Sequence, residues 1–216
     1  MNILVMICSV SKKGNSAAIA DKIIENFENK QLEVNKVFLY EQISNESEFI
    51  KSFNKADKII LSLPIYENSV PAAVLKLFEI ALSNKENLSC KDREIMVITN
   101  SGFPEVEASK CAIETCSLFA DKMGFNWMGG FAVAPGELIG GKKLDEAGSS
   151  MKKLIQLLDI IAEKIHNNET IPQEAFNLMS KPLISPFMYR FFGGFILRKE
   201  IKKVGKEKFF SRPLSS

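Results

Sequence analysis

The chain has 216 residues, 46% of them apolar and 25% charged, with a net charge of +2. That size buries a core without disulfide or metal staples and suits one domain, with room for an appendage. The composition is ordinary for a soluble globular chain, and a charge this near neutral gives no reason to expect nucleic acid as a partner.

Asn2 to Cys8 is a nearly continuous apolar run and reads as a fully buried strand. Ser9 to Ser16 is polar. Ala17 to Phe27 then carries Ile19, Ala20, Ile23, Ile24 and Phe27 at helical spacing. A strand, a short polar loop and a helix N-terminus form a standard anion site, because the first helical amides lack partners and the helix dipole adds positive charge. Ser9, Ser11, Asn15 and Ser16 can add side-chain groups. Two readings stand: a phosphate cradle, or a helix capped by Asn15 or Ser16.

The second strand is predicted over Val34–Tyr40. Its mixed pattern suits a sheet edge, and a short helix is expected from about Ser47. Lys58–Leu63 is another buried strand ended by Pro64. Ile65–Pro71 is a second distinctive loop, and Pro71 fits the start of a helix carrying Val74, Leu75, Phe78, Ala81 and Leu82. Glu94–Thr99 is the fourth strand, followed by the loop Asn100–Glu105. A helix over Val106–Met123 should stop at Gly124. Phe125–Ala134 reads as the fifth strand, interrupted by Gly129 and Gly130. The glycine-rich loop Pro135–Gly141 leads to a last helix over Asp145–His166.

Strand and helix alternate five times, which predicts an α/β parallel sheet with helices on both faces. In a 2-1-3-4-5 strand order the first, third and fourth strands are neighbours. Their polar loops then meet on one rim, at the carboxyl ends of the strands where such folds hold ligands.

The four cysteines (Cys8, Cys90, Cys111, Cys116) are too few and scattered for a disulfide framework. Free thiols in a reducing cytoplasm are expected. The single histidine, His166, argues against a His-based metal site or a Ser-His triad. We expect no signal peptide, and no stretch reaches the ~20 apolar residues of a membrane span.

Past residue 170 the character changes, and residues 171–216 are expected to form a basic, aromatic extension. Phe176 to Ser216 holds nine Lys or Arg against two acids, so it carries +7 and the rest about −5. Packing on the core or on a second subunit is the preferred reading; a basic anchor at a membrane surface is the other.

With these loops in order, the sequence resembles the flavodoxin-like FMN oxidoreductases, the NADPH-dependent FMN reductase and NAD(P)H:quinone reductase group. Three motifs carry the resemblance over about residues 1–165: Ser9–Ser16, similar to a serine-rich phosphate loop; Pro64–Ala72, similar to the Pro-x-Tyr segment beside the isoalloxazine; and Thr99–Glu105, similar to the loop at the flavin's pyrimidine edge. Cys8 stands where the family often opens its first loop with glycine. Val10 and Ser11-Lys12 replace a usual Pro-Arg, and Glu67-Asn68 replaces small glycines.

The resemblance implies a flavodoxin-like three-layer sandwich with bound FMN. Ser9, Ser11, Lys12, Gly14, Asn15 and Ser16 would hold the phosphate. Pro64, Ile65, Tyr66 and Asn68 would lie beside the ring, with Asn100, Ser101, Gly102 and Phe103 at its pyrimidine edge. No catalytic side chain and no metal are implied; Cys111 and Cys116 lack iron–sulfur cluster spacing. The implied activity passes electrons from NAD(P)H, a transient co-substrate, through FMN to a quinone, flavin or similar small acceptor. A homodimer is implied. The alternatives are a flavodoxin-type electron carrier, or a non-enzymatic protein of this fold that has lost FMN.

Overall fold

Each strand of the sheet turns alternate side chains to opposite faces, and that period of two divides the core in two. The structure, a computed structural model, describes residues 1–88 and 92–191. Cys90 and residues 192–216 of the expected extension lie outside them. The strands are β1 (Asn2–Ile7), β2 (Glu33–Phe38), β3 (Lys58–Pro64), β4 (Glu94–Asn100) and β5 (Asn126–Val133). All pair in parallel, in the order β2-β1-β3-β4-β5, so the expected α/β architecture is borne out.

On one face Ile3, Val5, Ile7, Ile60, Met96 and Ile98 pack against α1 (Asn15–Glu28) and α6 (Lys152–His166). On the other, Leu4, Met6, Cys8, Ile59, Leu61, Ile95 and Val97 meet a different set of helices. These are α2 (Leu39–Gln42), α3 (Glu46–Lys55), α4 (Ala72–Ser83) and α5 (Lys110–Met123). Central strands covered on both faces favour apolar residues on both, which explains the nearly continuous apolar runs in β1 and β3, with Ser62 the break between Ile59 and Leu63. β2 is one of the two edge strands, and its burial is correspondingly poor.

Several boundaries differ from the sequence expectations. β2 stops at Phe38 because Leu39 and Tyr40 turn into α2, burying Leu39. The helix expected from Val106 opens as a 3-10 turn over Val106–Ser109 before α5 begins. It ends as expected, with Gly124 left-handed at φ 75°. The last helix starts at Lys152 rather than Asp145. Two 3-10 turns, Leu144–Glu146 and Ser149–Met151, precede it, separated by Gly148 at φ 98°, a conformation no helix contains.

The chain divides into two compact units, Met1–Leu183 and Ile184–Ser216. The first runs past residue 170: α7 (Gln173–Phe176) and the turn after it bury Ala175, Phe176 and Met179 in the α1/α6 core. Of the second unit, residues 184–191 are described, and 186–191 are helical.

Candidate functional site

The loop after β1 and the first turn of α1 lie over the carboxyl ends of β3 and β4. Gly14 is the N-cap of α1, in extended conformation and with no side-chain cap hydrogen bond. Asn15 and Ser16 are already helical, so neither caps the helix. The first intrahelical bond runs from the Ala18 amide to the Gly14 carbonyl at 3.0 Å. The amides of Gly14, Asn15, Ser16 and Ala17 have no acceptor among the described residues. Four unpaired donors at the positive end of a 14-residue helix are the arrangement an anion neutralises.

The side chains of this loop mostly hold it in shape. Ser9 Oγ donates to the Ser11 carbonyl at 2.9 Å, and Ser11 Oγ accepts from the Lys13 amide at 3.3 Å. Lys12 pairs with Glu41 and lies over the Phe38 ring, 5.3 Å from its centroid. Asn15 Oδ1 accepts from the Gly141 amide at 3.0 Å, tying the glycine-rich loop after β5 to the first turn of α1. Buried Ser16 accepts at Oγ from Asn100 Nδ2 at 2.7 Å, while its carbonyl accepts from Ser62 Oγ at 2.8 Å. Asn100 faces α1 because it continues the Met96–Ile98 face of β4. Thus Asn15 and Ser16 use their side-chain oxygens as acceptors that hold the scaffold, and their amides are left unpaired.

The loop after β3 starts when the Ile65 amide donates to the Asn100 carbonyl at 2.8 Å, beside the Pro64–Asn100 register pair. Tyr66 and Ser69 then exchange backbone bonds across Glu67 (φ 49°) and Asn68 (φ 59°). Two successive left-handed residues make a type I′ turn, which explains why glycines would suit these positions. The turn leaves Tyr66 55% exposed. Tyr40, at the start of α2, has its phenol pKa raised by partial burial first, and next by the nearby Tyr66.

The loop after β4 is fastened through Ser101. Its amide donates to the Val133 carbonyl at 3.2 Å, its carbonyl accepts from Gly136, and its hydroxyl donates to the Phe103 carbonyl. The Ser101 amide is therefore spent on the scaffold. Phe103 stands 68% exposed and Val10 69%. Isolated exposed apolar side chains are ordinary, but these two and Tyr66 sit on the three loops of one rim.

A cavity of about 400 Å³ lies on the flank of the loop after β1, lined by Lys12, Lys13, Gly14, Lys22 and residues 141–145. Cys8, at the loop's base, is buried, and burial raises its thiol pKa strongly, with Cys116 adding to the effect. It stays a thiol and is no nucleophile. No group of His, Cys, Asp and Glu that could hold a metal occurs among the described residues. No described helix is long and apolar enough to cross a membrane.

Sequence reasoning named the three loops but missed Gly141, Glu41 and Tyr40. The first could have been suspected from the Gly140-Gly141 pair; the other two carry no local signal.

The fold is an open parallel α/β sheet, with the unpaired first amides of α1 at the carboxyl ends of its strands, by the topological switch. The profile of a family described as flavodoxin-like fold matches residues 1–154, and the chain belongs to that family. No curated protein matches the sequence. Among solved structures, a flavone reductase is similar at TM-score 0.62 with 14% identity, over 80% of this chain and 65% of that one. An FMN-dependent NADH-azoreductase from Bacillus anthracis str. Ames Ancestor, in complex with FMN, is similar at 0.57 with 10% identity, over 77% and 100%. An azoreductase from Bacillus anthracis str. Sterne is similar at 0.53 with 12% identity, over 78% and 99%.

Proposed function

We propose that this protein binds FMN and works as an NAD(P)H-dependent oxidoreductase toward a quinone, a flavin or a similar small acceptor. One observation carries the reading: the four amides at Gly14–Ala17 are unpaired, at the rim that also bears exposed Tyr66 and Phe103. A phosphate with an attached aromatic ring matches that donor set and those neighbours. The residues present fit the cofactor on this count. The azoreductase and flavone reductase likenesses support the same reading.

Bound FMN supplies hydride acceptance and onward electron transfer. The chain's own residues bind and orient. Amides 14–17 take the phosphate, and Ser9 and Ser11 hold the loop closed around it. Asn100 and Ser62 pin the first turn of α1 to the sheet, fixing the direction of its amides. Tyr66 covers a ring face and excludes water from it. Lys12, paired with Glu41, lends its charge from the side. We further propose a cytoplasmic homodimer, with free thiols at Cys8, Cys111 and Cys116.

Titration with FMN, followed by loss of flavin fluorescence, tests binding. Mixing the FMN-loaded protein with NADH or NADPH in a stopped-flow cell tests turnover. Bleaching within seconds supports the enzyme; binding without bleaching indicates a carrier; no binding overturns both.

A further inference from the structure

The first compact unit ends at Leu183, and the chain beyond it has a composition of its own. Residues 184–216 carry eight Lys or Arg against two acids, a net +6, while residues 1–183 carry −4. The same segment holds six of the sixteen phenylalanines. A basic charge so concentrated, mixed with aromatic and aliphatic residues, has a specific physical match: an anionic surface above an apolar layer.

The described part of this segment agrees with that match. Residues 186–191 are helical, and Phe187 and Met188 stand 78% and 45% exposed beside exposed Arg190. Adjacent in the chain, these two exposed apolar side chains offer a small apolar patch that a partner can cover. Further along the sequence, Leu197, Ile201 and Val204 recur at i, i+4 and i+7. Lys199, Lys202, Lys203 and Lys206 recur at i, i+3, i+4 and i+7, half a turn away. Helical spacing of lysines opposite apolar residues is the pattern of a segment that lies in a membrane interface.

We propose that residues 184–216 bind the surface of an anionic phospholipid bilayer, with Phe187 and Met188 entering the headgroup boundary and the lysines meeting lipid phosphates. The acidic first unit is repelled by the same surface. A second copy of this chain is the rival occupant. Its first unit, at −4, would have to meet the segment, a sparser negative charge than a surface of anionic lipids presents.

The test is flotation of the full chain with phosphatidylcholine vesicles, with and without phosphatidylglycerol. The protein should float only with the anionic vesicles and dissociate in high salt. Replacing Lys199, Lys202, Lys203 and Lys206 together by glutamine should weaken vesicle binding at least about a hundredfold. Phe187→Ser should weaken it about tenfold, since a phenylalanine side chain loses its apolar transfer. Both variants keep the first unit untouched, which its circular dichroism and melting temperature verify. Failure of the full chain to float with anionic vesicles overturns the proposal. So does equal binding to neutral ones. If the lysine variant binds vesicles normally but changes from dimer to monomer on sizing, the segment serves a second copy instead.

Discussion

Asn100 Nδ2 donates to Ser16 Oγ at 2.7 Å, bridging the carboxyl end of β4 to the first turn of α1. It donates also to the Leu63 carbonyl at 3.2 Å, so one side chain holds three elements of the rim in place. Ser16→Ala leaves Asn100 its second acceptor and should cost about 1 kcal/mol. Asn100→Leu leaves the Ser16 hydroxyl without this donor in a buried site, and should cost about 2–3 kcal/mol. Urea unfolding of both variants checks the order; a costlier Ser16→Ala would reverse the assignment.

Asn15 ties α1 to the loop after β5 through the Gly141 amide. Asn15→Ala should lower FMN affinity several-fold while costing only about 0.5–1.5 kcal/mol of stability, since the bond is exposed. Gly141→Ala should do more. Its φ is +67°, and an added Cβ would sit 2.5 Å from the Lys13 carbonyl oxygen. That contact pushes on the phosphate loop itself, so FMN affinity should fall at least about tenfold, with strain of about 1–3 kcal/mol. Flavin fluorescence titration and thermal melts of the two variants separate these effects.

Glu67 pays the conformational cost of the type I′ turn, being left-handed at φ 49° without a glycine's freedom. Glu67→Gly should raise stability or leave it unchanged, by up to about 1 kcal/mol. A loss of more than that in urea unfolding would show that the Glu67 side chain makes a contact worth more than the strain.

The buried thiols make stability fall in alkali. Burial pushes the Cys116 thiol up to about 12, from an ordinary 9.0, and Cys8 is raised as well. Above pH 9 the unfolded thiols lose protons that the folded ones keep. The unfolded state then binds fewer protons, so stability drops as pH rises from about 9 towards 12. The two thiols together should remove about 2–3 kcal/mol by about pH 10. Cys116→Ala should flatten that slope by about half, after allowing for its cavity cost. In native protein at neutral pH, iodoacetamide should label Cys111 and spare Cys8 and Cys116, as peptide mass spectrometry would read.

The strands were legible in the residues because burial on both faces writes a local signature. Ile3 to Ile7 is apolar without a break and Ile59 to Leu63 is broken only by Ser62, and such runs fit the middle of a covered sheet. The helices α1 and α5 announced themselves by period and by the glycine after Met123. The alternation of the two kinds of element then gave the parallel order and, with it, the three loops that share a rim. All of this rests on spacing within a dozen residues.

What those loops do with their side chains was not local. Nothing near Ser16 shows that its hydroxyl faces Asn100, 84 residues on, or that Asn15 reaches Gly141. The sequence left a phosphate cradle and a capped helix as equals. The fold removes capping by Asn15 or Ser16, because Gly14 takes the cap position and the amides of Gly14 to Ala17 are left unpaired. A hydrogen-bond partner is chosen by which loops meet in space, and that meeting is decided by the packing of two helical layers on one sheet.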